Sequence, residues 1–210
     1  ARAFSAKRLA TPLALFYCPS RRRALVHYTQ YTYRNASYVR NVVKNDFAAN
    51  GGDTRTYWNS MPPFTSVPNT IAATDRAGFR WPDGEGENGI FYATSKVSIR
   101  MIGDGASNTY LIGEKYLRTE DYDKGLDGGN NETAFCGHAA DITRWTGSGQ
   151  VPLRDRSGAD FSESFGSVHS VGFHMALCDG SVRLIDYSIN PTVHGHLGNR
   201  RDGVAVNLGR

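Results

Sequence analysis

Short runs of strand-forming residues, broken every few positions by Gly, Pro, Asn or Asp, dominate this chain, and little of it keeps a helical period. The clearest pattern is Phe173-His174-Met175-Ala176-Leu177-Cys178 and Ser181-Val182-Arg183-Leu184-Ile185 on either side of Asp179-Gly180, a hairpin signal. A two-residue type I′ turn at Asp179-Gly180 predicts Cys178 opposite Ser181, Leu177 opposite Val182, Ala176 opposite Arg183 and Met175 opposite Leu184. One face then carries Phe173, Met175, Leu177, Val182 and Leu184 as core, and the other His174, Ala176, Cys178, Ser181, Arg183 and Ile185. Residues 110–117 read as a strand, as do 89–92, 97–102 and a buried run over 12–19 closed by Pro19. Asp104-Gly105-Ala106-Ser107-Asn108-Thr109 is turn-like, residues 190–197 predict one or two helical turns, and no convincing amphipathic helix is evident. Residues 61–87, 121–133 and 147–164 are rich in turn formers and read as long loops. The expected product is a β-rich α+β fold: one antiparallel sheet with long irregular loops, in a single domain spanning 1–210.

Composition narrows this further. A chain of 210 residues with 40% hydrophobic content can build one real core, and 23 glycines, 8 prolines and 11 tyrosines favour turns and strands. The net charge of +4, from 24 basic and 20 acidic residues, is too mild for dedicated nucleic-acid binding. Cys18, Cys136 and Cys178 form no Cys-x-x-Cys pair; one disulfide with a spare thiol and three buried thiols both remain open. No apolar run approaches the ~20 residues of a membrane span, and the start at Ala1 reads as the processed part of a longer protein.

Candidate chemistry is sparse. His169 and Asp179 stand nine residues apart, but an extended strand of roughly 17–20 Å between them would keep them from sharing a metal or a proton, so each is expected to be structural. Asp121, Asp123 and Glu132 fall at positions one, three and twelve of a calcium loop, with Asp127 between, yet Gly125 and Leu126 break positions five and six. Calcium is the cofactor this loop could take; a solvated acidic loop is the alternative. His194-Gly195-His196 and Cys136-Gly137-His138 lack an indicated third ligand and read as surface or core histidines. The Gly-x-Gly-x-x-Gly run at 84–89 follows no strand and carries two glutamates, which would repel a pyrophosphate. No nucleophile elbow, zinc-protease helix or phosphate loop is present, so nothing argues for an enzyme. Tyr28, Tyr31 and Tyr33, with Arg22 of the Arg21-Arg22-Arg23 run and Trp58 or Trp81, could stack on sugars, giving a carbohydrate or small-solute binding surface as the alternative function. Asn35 and Asn131 fit glycosylation sequons.

Several blocks occur in a recognisable order: Phe16-Tyr17-Cys18-Pro19-Ser20-Arg21-Arg22, Asn45-Asp46-Phe47-Ala48-Ala49-Asn50-Gly51-Gly52-Asp53, Gly89-Ile90-Phe91-Tyr92, Asp104-Gly105-Ala106-Ser107-Asn108 running into Gly113-Glu114-Lys115, His169 followed after nine residues by Asp179-Gly180, and Leu197-Gly198-Asn199-Arg200-Arg201-Asp202-Gly203. The chain resembles the prepilin-type, processing-associated His-x9-Asp-Gly family, a bacterial domain of unknown function. The resemblance implies a pilin-like sheet whose usual long N-terminal helix is absent from this chain, with membrane contact only through that missing helix. It further implies a non-enzymatic subunit of an extracellular filament or cell-envelope assembly, self-associating, at the cell surface. Some pseudopilins bind calcium in a C-terminal loop. The signature residues His169, Asp179, Gly180, Asp104, Gly105, Asn108 and Glu114 come with structural rather than catalytic roles.

Overall fold

A computed structural model of the chain describes residues 1–33, 36–54 and 86–206. Trp58, Trp81, Asn35, the first two residues of the 84–89 glycine run and nearly all of the 61–87 excursion lie outside the described residues. The elements run α1 (Arg2–Leu9), β1 (Val26–Tyr28), β2 (Asn41–Val43), β3 (Phe47–Asn50), β4 (Tyr110–Glu114), β5 (Thr143–Arg144), β6 (Leu153–Arg154), β7 (Gly166–Ser167), β8 (Gly172–Leu177), β9 (Val182–Asp186) and α2 (Pro191–Gly198). The body is a five-stranded sheet in the order β5-β3-β4-β8-β9, antiparallel except where β5 joins β3 in parallel. Two small ribbons, β1-β2 and β6-β7, flank it. The fold is therefore the β-rich α+β arrangement that the patterning predicts.

The core lies on one face of this sheet. Ala48, Tyr110, Phe173, Met175, Leu177 and Ile185 pack there with Phe165 and with Leu197 of α2. Alternation along β8 buries Phe173, Met175 and Leu177 and turns His174 outward. In β4 the register slips between Tyr110 and Ile112, so Tyr110 sits opposite Leu177 in the core while Ile112 sits opposite Ala176 on the outer face. The helix α2 begins where it should: the Asn190 side chain accepts from the Thr192 and Val193 backbone N–H groups, and Pro191 follows at the first helical position. Gly198 closes it against β5's neighbour, where a Cβ would meet Thr146 Oγ1 at 1.8 Å.

The hairpin forms, but not in the predicted register. Ala176 pairs with Val182, Met175 with Arg183, His174 with Leu184 and Phe173 with Ile185, one position away from the two-residue turn. Leu177 N–H donates to Ser181 O, and Gly180 N–H to Leu177 O, so the connection is the three-residue loop Cys178-Asp179-Gly180. This is the turn-plus-bulge loop in which Gly180, at φ 86°, takes the left-handed position. A one-residue slip exchanges the faces. Val182 and Leu184 therefore point outward, 64% and 54% exposed, and Ile185 joins the core instead.

Other expectations also change. Residues 12–19 form no strand: Ala14–Phe16 is a 3₁₀ turn, Leu13 and Leu15 are exposed, and only Tyr17 and Cys18 of the run are buried. Residues 89–92 and 97–102 form no strand either; Ile90 and Phe91 donate to Asn50 O, and Ile99–Met101 is a 3₁₀ turn. α1, β1, β2 and β3 were not foreshadowed by periodicity, because each is short or half-exposed. Among the described residues, no helix is long and apolar enough to cross a membrane.

Buried cations hold the irregular parts to the sheet. Lys115, fully buried, donates from Nζ to Gly129 O (2.8 Å), to Asn130 Oδ1 (3.1 Å) and to Asp141 O. Arg144 reaches Ser164 O at 2.9 Å and Gly129 O at 3.2 Å, and Arg200 reaches Glu87 O at 2.9 Å and also Gly89 O. Burial drives the Lys115 ammonium well below its ordinary value and the Arg144 guanidinium down to about 10.

Candidate functional site

Most of the polar signature residues are accounted for by the chain's own backbone. Asp104 accepts from the Asp202 N–H (2.9 Å) and the Gly203 N–H (2.8 Å), tying the C-terminal block to the turn before β4. Gly105 takes φ 95°, and the Asn108 amide donates to Asp104 O at 3.0 Å, closing that turn. Asp179 Oδ1 accepts from both the N–H and the hydroxyl of Ser181, and its own N–H donates to Ala106 O, so the hairpin tip is pinned to the same turn. His169 and Asp179 thus lie beyond opposite ends of β8.

His169 instead meets two residues far away in sequence. Its Nε2 lies 3.4 Å from Glu114 Oε1 and 3.9 Å from Cys18 Sγ. One ligand-type atom from each of Cys18, Glu114 and His169 falls within 4.8 Å of the other two. Glu114 ends β4 on the outer face, its side chain only 3% exposed. Its Oε2 accepts from the His174 backbone N–H (2.7 Å) and lies 3.1 Å from His174 Nδ1. The adjacent β8 strand thereby aims Glu114, leaving Oε1 toward His169.

Each contributor is separately held. Cys18 N–H donates to Asp46 Oδ2 at 3.0 Å, and Asp46 also engages Arg22 and, at 3.8 Å, Arg21. Arg21 in turn bonds Asp155 through Nε at 2.8 Å and Lys115 O through Nη2 at 2.8 Å. The Phe16-to-Arg22 block is thus clamped over the end of β4. The 167–169 segment is fixed by the Tyr187 hydroxyl, 3.1 Å from Ser167 O and 3.0 Å from His169 O. The imidazole of His169 is a third exposed, so the cluster opens to solvent on that side.

A Cys–His–carboxylate set invites comparison with a nucleophilic triad, and the geometry rejects it. In a triad the base pairs with the nucleophile through one ring nitrogen and with the carboxylate through the other. Here Cys18 Sγ and Glu114 Oε1 converge on the same nitrogen, Nε2. Burial moreover pushes the Cys18 thiol up, against activation as a thiolate.

The remaining candidates are placed as follows. Asp121 pairs with Arg118 at 2.8 Å, Asp127 accepts from the Arg118 and Gly129 N–H groups, and the Asp123 carbonyl faces His27 Nδ1. Glu132 leaves this loop to join Cys136 and Asp141 in a second cluster, where burial and then Asp141 push its carboxyl up to about 7. His194 is buried in the core, while His196 turns away to Asp202, at 2.7 Å. Arg22 is buried against Asp46 and Tyr122 O, and Tyr33 spends its hydroxyl on Thr29 and the Thr133 N–H; Tyr28 and Tyr31 are partly open. All three cysteines are free thiols.

A family model described as "Protein of unknown function (DUF1559)" matches residues 1–192, and the chain belongs to that family. No curated protein and no solved structure matches. The Cys18–Glu114–His169 cluster joins three blocks of the sequence that are 96 and 55 positions apart, a convergence that periodicity and spacing do not signal; the buried charges of Asp46 and Arg21 that frame it are equally silent in sequence.

Proposed function

We propose that this chain is a non-enzymatic, self-assembling structural subunit, pilin-like in the sense of the His-x9-Asp-Gly resemblance, working in a filament or envelope assembly at the cell surface. One observation carries the reading: the outer face of the sheet presents Ile112, Val182 and Leu184, 46%, 64% and 54% exposed, beside an edge strand. Ile112, Ala176 and Val182 lie in one row across β4, β8 and β9, with Leu184 one row on, so the exposed side chains form a stripe rather than scattered sites. Apolar surface of this kind, continuous with a strand edge that pairs with no other strand among the described residues, favours a protein neighbour over water. A second copy of the chain is the occupant this reading commits to, because β9 offers the sheet edge along which identical subunits can add.

Sedimentation velocity across a concentration series, with electron microscopy of the same samples, tests it. Association should deepen with concentration and be lost in Val182→Asp/Leu184→Asp, whose thermal midpoint should stay near that of the parent because both positions are exposed. A strictly monomeric parent at high concentration would overturn the reading.

A further inference from the structure

From the convergence of Cys18, Glu114 and His169 we infer a binding site for a divalent transition metal of zinc-like preference; it lies on the same outer face as the exposed apolar stripe, with His174 opposite Leu184, and its donor set stands whether or not that stripe assembles. The donor set decides the class of ion. One thiol sulfur, one imidazole nitrogen and one carboxylate oxygen suit zinc and its neighbours, whereas calcium and magnesium take oxygen alone. The spacing agrees. Tetrahedral zinc with bonds of about 2.0–2.3 Å separates its ligand atoms by roughly 3.3–3.6 Å. His169 Nε2 to Glu114 Oε1 is 3.4 Å and His169 Nε2 to Cys18 Sγ is 3.9 Å, so these two edges need a shift of no more than a few tenths of an ångström, and the third, from Cys18 to Glu114, lies within 4.8 Å.

The surroundings have the outer partners such a site needs. A ligating carboxylate is normally held by hydrogen bonds to its second oxygen. Glu114 Oε2 has two such contacts from His174, one from the backbone N–H and one at Nδ1. Cys18 is placed by Asp46, and His169 by the Tyr187 hydroxyl on its carbonyl. The convergence of two partners on Nε2, which defeats a proton relay, is what three ligands of one ion require. On binding, the thiol proton leaves to solvent as the metal–sulfur bond forms; Glu114 enters as carboxylate and His169 as neutral imidazole. Three protein ligands leave a fourth position, on the side where His169 is a third exposed, for water or an external donor. The ion would staple the 16–22 block, which lies outside the sheet, to the ends of β4 and β8.

The test is titration of the full chain, stripped with chelator under reducing conditions, with Co²⁺. The expected result is one equivalent bound, with a thiolate-to-cobalt charge-transfer band that Zn²⁺ bleaches. Cys18→Ser should abolish the band, and His169→Ala, at a partly exposed position, should weaken binding by tenfold or more. His174→Ala should weaken it by roughly 10–100-fold through the second oxygen of Glu114. Cys136→Ser is the control for the Glu132–Cys136–Asp141 cluster and should leave the band intact. Absence of the band, its loss in Cys136→Ser with retention in Cys18→Ser, or unchanged affinity in His169→Ala would each overturn the site.

Discussion

His194 gives the sharpest handle on the core. It is fully buried on α2, with ring neighbours Tyr110, Phe165 and Phe173, and Nδ1 lies 3.4 Å from the Tyr110 hydroxyl. Its Nε2 has no hydrogen-bond partner among the described residues. Burial lowers its pKa from 6.5 to about 3. Below pH 6.5 the unfolded chain therefore takes up a proton that the folded chain refuses, and stability falls as pH drops toward 3. Each pH unit in that window costs about 1.4 kcal/mol. From pH 7 to pH 4 the loss from this residue is about 3 kcal/mol, obtained from the two titration curves. His194→Phe removes the group while keeping an aromatic ring in place. The variant should start behind by about 1–3 kcal/mol at pH 7, because the Tyr110 hydroxyl loses its partner. Urea unfolding at pH 7, 6, 5 and 4 then measures the difference between parent and variant. The parent-minus-variant difference should move by about 3 kcal/mol in the variant's favour across the series, reaching or passing zero by pH 4, and other groups such as His138 and Glu132 cancel because both proteins contain them. A difference that stays constant within about 0.5 kcal/mol would mean that the imidazole is protonated in the fold, and would refute the placement.

Three further outcomes are expected. Gly180→Ala meets open space but must adopt φ 86°, so its urea midpoint should drop by an amount equivalent to about 1 kcal/mol, and Gly180→Asn by less. Lys115→Met takes the lysine donor from Asn130 Oδ1 and Asp141 O and leaves Gly129 O to Arg144, so it should cost about 2–3 kcal/mol or more, read as a large fall in thermal midpoint. Asp104→Ala frees the Asp202 and Gly203 N–H groups and should cost about 1–2 kcal/mol while exposing the 202–206 segment to limited proteolysis.

What the sequence discloses follows from the range of the forces involved. The hairpin, β4 and α2 are legible because alternation, Asp179-Gly180 and Asn190-Pro191 act over a few residues. The register is not, because a two-residue turn and a three-residue loop with a bulge use the same Asp-Gly; the choice is settled by Ile185 entering the core and by Cys178 and Asp179 donating to Thr109 O and Ala106 O. The strands expected at 12–19 and 97–102 fail because apolar content without a neighbouring strand is no more than a turn over the surface, as Leu15 and Ile99 show at 84% and 74% exposure. His169 stands out in the sequence; its partners do not. Cys18 reaches it only through the Asp46 and Arg21 clamp, and Glu114 only through the pairing of β4 with β8, both long-range outcomes of topology.

The buried cations carry one more consequence. Lys115, Arg144 and Arg200 hydrogen-bond the carbonyls of segments that have no ladder of their own, at Gly129, Ser164, Glu87 and Gly89. Opening any of those segments strips acceptors from a charge that cannot follow them into water without leaving the core. Local fraying is thereby coupled to global unfolding, and the 121–133 and 147–164 loops and the sheet become one cooperative unit. Amide hydrogens at 127–130 and 163–164 should then exchange on the slow clock of β4 and β8, although by shape they belong to loops.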